Sequence, residues 1–210
     1  MISKAKGYDN AEKAEAREAV WSNIMRYAHG MGIKSPKAAI LCGPRRHEVD
    51  MAVKHGVDLK DILNIEMKPA TMSNFTRSFT TSERTHLKTF RGLISDAVVN
   101  LVKNKEQLQV AHFDFCDPIE TLNKNSPRVE IEHFIASGVM PRGVLAITVQ
   151  NGRVAGFEGE EIRLKMLDRA VSMRLPKPAK QLVWGKYYNA DTFTPMLWVI
   201  YQIGENNGSN

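Results

Sequence analysis

Two apolar runs in the second half of the chain decide the fold: Gln109-Val-Ala-His-Phe-Asp-Phe-Cys-Asp-Pro118 and Pro141-Arg-Gly-Val-Leu-Ala-Ile-Thr-Val149. Such runs, set between helix-like segments, are typical of strands that are buried on both faces of a parallel sheet. The first run ends in acids and a proline. Because ligands of parallel sheets bind at the carboxyl ends of the strands, the polar corner over residues 114–118 predicts a site as well as a fold.

Strand-like and helix-like segments alternate around these two runs. The predicted strands cover residues 37–42, 61–66, 87–91, 109–118, 143–149, 181–188 and 196–202. The predicted helices cover residues 10–29, a segment that begins at Pro44 and ends near Gly56, and residues 70–79, 93–104, 129–137 and 159–174. The last two strands are joined by a short loop and therefore pair antiparallel. The sequence thus predicts an α/β fold with a doubly wound, mostly parallel sheet that ends in an antiparallel β-hairpin.

The 210 residues suffice for one well-packed core but not for two. We expect residues 1–34 to form an N-terminal helical extension and residues 35–204 to form the α/β domain. Residues 205–210 are polar and are predicted to be a disordered tail.

The composition narrows the partners and the compartment. The net charge of +6 allows a polyanionic partner such as nucleic acid. No apolar stretch approaches the ~18 residues of a membrane span, and the N-terminus lacks the apolar region of a secretory signal. Only two cysteines are present, so a disulfide framework is not supported and a cytoplasmic location is the simplest expectation. The sequence leaves the oligomeric state open.

Four corners of the predicted sheet carry polar or glycine-containing motifs. They are Leu41-Cys-Gly-Pro-Arg-Arg-His-Glu48, Glu66, Asp114-Phe-Cys-Asp-Pro118 and Met140-Pro-Arg-Gly143. Their order along the chain resembles that of the class I S-adenosylmethionine-dependent methyltransferases, especially small divergent members encoded by bacteriophages. The resemblance rests on residues 38–66 and 110–149, and with the hairpin it loosely covers 38–203. It implies a Rossmann-like methyltransferase fold, S-adenosyl-L-methionine as the cofactor and, given the basic charge, a nucleic-acid acceptor.

The resemblance also implies roles for single residues. Glu66 lies 23 positions after Gly43, close to the ~20 expected of an acid that accepts hydrogen bonds from ribose hydroxyls. On the acceptor side, Asp117 would face the substrate. No metal site is expected. The implied catalytic residues are Asp114, Asp117 and Pro118, and the implied cofactor-binding residues are Gly43, Pro44, Glu48, Glu66, Met67 and Asp114.

Two departures from the family pattern keep other functions open. The first loop has one glycine instead of two or three, and Asp117-Pro118 continues without a second proline and an aromatic residue. These losses fit a catalytically eroded methyltransferase-fold protein that binds nucleic acid or protein. Arg45 and Arg46 beside the loop suit a phosphate better than a sulfonium, which fits another nucleotide-using enzyme.

The cysteines and histidines have structural interpretations. A nucleophilic role for Cys116 is disfavoured because its two acidic neighbours raise the pKa of a thiol. Cys42 and Cys116 are expected to be small buried thiols that lie near each other. His47 and His112 have no partner at a diagnostic spacing and are expected to be structural.

Overall fold

The computed structural model describes residues 11–43, 45–119, 121, 125–151, 157–189 and 194–205, apart from the side chains of Cys116, Phe157, Glu158 and Asn189. The strands are β1 (Ala38–Leu41), β2 (Ile62–Glu66), β3 (Lys88–Arg91), β4 (Val110–Pro118), β5 (Gly143–Gln150), β6 (Lys180–Asn189) and β7 (Thr194–Ile203). The helices are α1 (Ala11–Gly30), α2 (His47–Lys54), α3 (Pro69–Arg77), α4 (Thr81–Arg84), α5 (Ile94–Lys103), α6 (Pro127–Ala136) and α7 (Phe157–Ser172).

The strands form one sheet in the order β3-β2-β1-β4-β5-β7-β6. Strands β1 to β5 pair parallel with one another, and β7 pairs antiparallel with both β5 and β6. The predicted fold class, a doubly wound and mostly parallel sheet with a terminal antiparallel hairpin, is confirmed. The strand order reverses between β1 and β4, which creates a crevice at the carboxyl ends of these two strands.

Both faces of the sheet are covered, which explains the continuous apolar runs. One face packs on α5, α6 and α7, and its core contains Phe113 and Phe134. The other face packs on α1, α2 and α3, and its core contains Trp21, Ile40 and Phe75. Because successive side chains of a strand point to opposite faces, each central strand needs apolar residues at every position.

Helix α1 belongs to the second of these cores. Two of its own residues, Trp21 and Ile24, are completely buried. The described part of the predicted N-terminal extension therefore shares its core with the α/β domain, while residues 1–10 and 206–210 lie outside the described residues. The domain boundaries stay predictions.

Some local details differ from the sequence-based expectation. Helix α2 begins at His47 and not at Pro44, because the first helical hydrogen bond runs from Asp50 N to Arg46 O. Pro44 itself lies outside the described residues. The short helix α4 was not predicted, although Thr80 and Glu83 form a capping box that marks its start. A 3₁₀ turn over Leu59–Asp61 was also missed. In the part of the chain described above, no helix has the length and apolarity needed to cross a membrane.

Candidate functional site

A cleft of about 280 Å³ opens at the carboxyl ends of β1, β2 and β4, where the strand order reverses. Its lining comes from the ends of β1, β2 and β4, from the segment between β3 and α5, and from the region of α6. The predicted residues among this lining are Gly43, Glu66, Met67, Asp114 and Asp117, and the others include Gly92, Leu93, Ile94, Asn125 and Glu130. The structure therefore brings together five of the eight residues that are predicted from the sequence to be catalytic or cofactor-binding.

Glu66 ends β2 and is held in place by backbone groups. Lys68 N donates a hydrogen bond of 2.7 Å to Glu66 Oε1, and Gly92 N donates to Glu66 O at 3.1 Å. A carboxylate has about four lone-pair positions. Glu66 is thus oriented at the cleft and keeps acceptor capacity for a ligand. Met67, which is 48% exposed, lies beside it.

The opposite wall of the cleft is fixed by a buried acid that the sequence did not indicate. Glu130 on α6 is 3% exposed and accepts hydrogen bonds from Ser95 N at 2.9 Å and Ser95 Oγ at 3.1 Å. These bonds anchor the first turn of α5, directly after the Gly92, Leu93 and Ile94 segment of the lining. No local signal marks Glu130, because its partner lies 35 positions away.

The end of β4 supplies two acids, Asp114 and Asp117, to the lining of the cleft. The pairing of β4 with β5 is regular up to Asp114 and then shifts register before Pro118. Such an irregularity redirects side chains at a strand end. Asp114 is mostly buried, and Lys13 Nζ of α1 lies 3.4 Å from its Oδ2. Asp117 is exposed in the same cleft, whereas Pro118 lies opposite Gln150 and is not part of the lining.

Glu48 lies elsewhere, in a buried cluster beneath α1. Its carboxylate accepts hydrogen bonds from Arg17 Nε at 2.7 Å and Trp21 Nε1 at 3.1 Å, and His112 Nδ1 lies 3.1 Å away. Burial by itself would raise the pKa of Glu48, but His112, Arg17 and Trp21 outweigh it and lower the pKa to about 2. Glu48 is therefore a buried anion that is held by other side chains of the protein, and it does not line the cleft.

The guanidinium of Arg46 forms hydrogen bonds with two acids of the protein itself, Asp50 and Glu83. Its Nε donates to Asp50 at 2.7 Å, and its Nη2 donates to Glu83 at 2.8 Å. The guanidinium also stacks 4.2 Å from the ring centroid of Phe79. Neither Arg46 nor Arg45 lines the cleft. The argument for a phosphate at this corner, which rested on these two arginines, loses its basis.

Cys42 is a buried thiol, as predicted. It is 1% exposed, its Sγ lies 2.8 Å from Arg45 O, and its backbone N–H donates to Asn64 Oδ1 at 3.1 Å. Burial and the charge of Glu48 raise the pKa of the thiol, so Cys42 is not a nucleophile. The expected approach of Cys42 to Cys116 involves a side chain outside the described residues.

No protein-family profile matches the chain, and no curated protein sequence is significantly similar to it. Several solved structures share its fold. A candidate RNA methyltransferase from Pyrococcus horikoshii superposes with a TM-score of 0.60 at 11% identity, covering 97% of this chain and 94% of the other. N-methyltransferase NodS from Bradyrhizobium japonicum, solved with S-adenosyl-l-homocysteine, gives a TM-score of 0.61 at 11% identity, with 94% and 90% covered. The fibrillarin pre-rRNA processing protein of Methanococcus jannaschii gives 0.54 at 14% identity, with 82% and 68% covered. The chain has the Rossmann-like methyltransferase fold.

Proposed function

We propose that this protein is an S-adenosylmethionine-dependent methyltransferase. The observation that carries the proposal is the position of Glu66, whose carboxylate ends β2 and faces a cleft at the reversal of strand order. In sheets of this kind, ligands bind at that crevice. The cleft volume of about 280 Å³ lies close to the ~300 Å³ lower end for small-molecule sites.

The residues present fit the cofactor. Glu66 would accept hydrogen bonds from the two ribose hydroxyls, because one of its oxygens is already oriented by Lys68 N and lone pairs remain. The apolar side chains of Met67, Leu93 and Ile94 line the same cleft and would pack on the faces of a purine. When bound, S-adenosylmethionine supplies an electrophilic methyl group. Gly43 has no side chain to obstruct a close approach of the ligand to its backbone.

The acceptor would meet this cleft at the end of β4. Asp114 and Asp117 are the acids there, and a carboxylate in reach of an acceptor N–H or O–H group can orient it and take its proton. Holding the two reactants in one cleft would account for much of the rate. We infer a nucleic-acid acceptor from the net charge of +6, and the two structural neighbours described as acting in RNA methylation and pre-rRNA processing support this choice.

Calorimetric titration of the protein with S-adenosylmethionine and S-adenosylhomocysteine tests the proposal. We expect micromolar binding of both ligands and a loss of at least tenfold in Glu66→Ala, since the ribose contacts are charge-assisted. Glu161→Ala is the matched control, because Glu161 pairs with Lys165 on the surface of α7 and lies outside the cleft. Failure of a folded protein to bind either ligand would refute the proposal.

A second candidate function, a catalytically inactive binding module on the same fold, has one observation in its favour. Ile119, which follows Pro118, is completely buried. Ile119 stands where amino-group methyltransferases carry the second proline of their Asp/Asn-Pro-Pro motif, and its side chain packs in the core, so this motif is incomplete. Glu120, at the position of the base-stacking aromatic residue, lies outside the described residues. A protein that binds the cofactor but transfers no labelled methyl group to DNA, RNA or protein acceptors would support this alternative.

A further inference from the structure

A second cavity lies behind the acceptor side of the cleft, beneath α1. Its volume is about 10 Å³, and Asp114 lines both this cavity and the cleft. The other polar residues around it come from five elements: Lys13 and Arg17 of α1, Glu48 of α2, His112 of β4, Thr148 of β5 and Tyr187 of β6. A site needs about 10–15 Å³ and two to four polar partners to hold one water molecule. This cavity meets both conditions.

His112 provides an independent indication that the cavity holds water. The residue is 2% exposed, and its ring packs edge-on against Trp21 with centroids 5.7 Å apart. Among the described residues, His112 Nδ1 has no hydrogen-bond partner, because its 3.1 Å approach to Glu48 Oε2 has the distance but not the direction of a hydrogen bond. The contact between His112 Nε2 and Thr148 Oγ1 is long, at 3.4 Å. A buried ring nitrogen is rarely left without a partner, and water is the usual partner in a polar cavity.

We propose that one buried water occupies this cavity and relays a proton between Asp114 and His112. The inference rests on the proposed function, because methylation of an N–H or O–H acceptor releases a proton that must leave the cleft. His112 does not touch the cleft and acts through Asp114, so it is a positioning residue. Its side chain and that of Asp114 lie on the same face of β4, two residues apart.

The proton transfers balance. The acceptor heteroatom would use an electron pair to bond the methyl group, while the electron pair of the broken sulfur–methyl bond would stay on the sulfur of the leaving cofactor. The proton of the acceptor would move to a carboxylate oxygen of Asp114. Asp114 then protonates the water, which at the same time gives one of its own protons to the lone pair of His112 Nε2, the ring nitrogen on the side of Thr148, because Nδ1 faces the Glu48 carboxylate and carries the ring hydrogen. Glu48 stands 3.1 Å from the ring and compensates the positive charge that results. The groups that face this path are Lys13 and Arg17 from α1, Glu48 from α2, and Thr148 and Tyr187 from the sheet.

The test is nuclear magnetic resonance of protein labelled with ¹⁵N in its six histidines. We expect a magnetisation-transfer signal from a long-lived water to the His112 ring and the Thr148 methyl protons. We also expect the His112 ring nitrogen signals to shift in Asp114→Asn and to stay in place in Asp117→Asn, the matched control on the exposed acid. Thr148→Val keeps the side-chain shape, removes one partner of the water and should abolish the water signal. Absence of the water signal, or equal responses to the two aspartate variants, would overturn the relay.

A kinetic arm separates this proposal from the proposed function. If the titration with S-adenosylmethionine shows binding, Thr148→Val should leave the affinity unchanged and slow methyl transfer about tenfold or more, as expected for impaired proton transfer. An unchanged transfer rate would also overturn the relay. If the protein binds no cofactor, the proposed function fails, while the magnetic resonance experiment still decides whether the water links the two side chains.

Discussion

The buried cluster around Glu48 makes the acid stability of the fold predictable. The pKa of Glu48 is lowered from 4.5 to about 2 in the folded protein. A shift of this size corresponds to about 3 kcal/mol at 1.36 kcal/mol per unit. Because the folded pKa lies below the unfolded one, this stabilisation is complete above about pH 5 and is lost as the pH falls through 4.5 toward 2. About 2 kcal/mol of it should be lost by pH 3.

Glu48→Gln should therefore lower the free energy of unfolding at pH 7 by about 3 kcal/mol. Removal of one partner from a buried ion pair typically costs about 3–5 kcal/mol, since the remaining charge, here Arg17, stays buried. Urea unfolding followed by circular dichroism between pH 7 and pH 3 gives both the cost and its pH dependence. The difference between the wild-type and variant curves should shrink as the pH falls, because the wild type alone loses the contribution of Glu48.

Glu161→Gln is the control for this measurement. Glu161 is 54% exposed and pairs with Lys165 one helical turn away, so its loss should cost less than about 0.5 kcal/mol. A Glu48→Gln variant as stable as the wild type at pH 7, or a difference between the two curves that does not change with pH, would refute the assignment of Glu48 as the central anion of the cluster.

Three further variants test contacts that hold the fold together. Ser95→Ala removes the 3.1 Å hydrogen bond to Glu130 and should cost about 1–2 kcal/mol, read as a lower thermal midpoint. Arg46→Met frees α4 from α2 and should cost about 1–2 kcal/mol, with faster amide exchange confined to α4; uniform exchange throughout the chain would contradict the assigned contacts. Gly185→Ala places a Cβ 2.4 Å from Trp198 Cζ2 and should cost about 1–3 kcal/mol, with a changed near-ultraviolet tryptophan signal.

The fold was predictable because its information is local. Residues 143–149 are all buried, and only a strand covered on both faces needs seven consecutive buried positions. The short loop before β7 fixed the antiparallel hairpin, and the acid at Glu66 fell where β2 ends. By contrast, apolar periodicity does not predict α4, because a four-residue helix has almost none, and only the capping box of Thr80 and Glu83 marks it in the sequence.

The site was only partly predictable because the direction of a side chain depends on distant partners. Glu48 belongs to the same eight-residue motif as Gly43, but it lies in the first turn of α2, whose inner face packs on α1. Its hydrogen-bond donors, Arg17 and Trp21, are 31 and 27 positions away. The contact of Lys13 with Asp114 spans an even longer stretch of chain. Spacing along the sequence contains no signal for such pairs.

Glu48 and Glu66 illustrate how the same side chain takes opposite roles at two neighbouring corners. Glu66 accepts one side-chain hydrogen bond, from Lys68 N, and borders an open cleft. Glu48 accepts two hydrogen bonds in a site that is 4% exposed, with the His112 ring against the same oxygen. A ligand hydroxyl bonded to a carboxylate contributes about 1.5–3 kcal/mol. To reach Glu48 it would have to displace Arg17, at a cost of about 3–5 kcal/mol for the charge left behind. Glu48 is therefore held by its own partners away from a ligand, and of the two acids only Glu66 borders the cleft where we propose that the ribose binds.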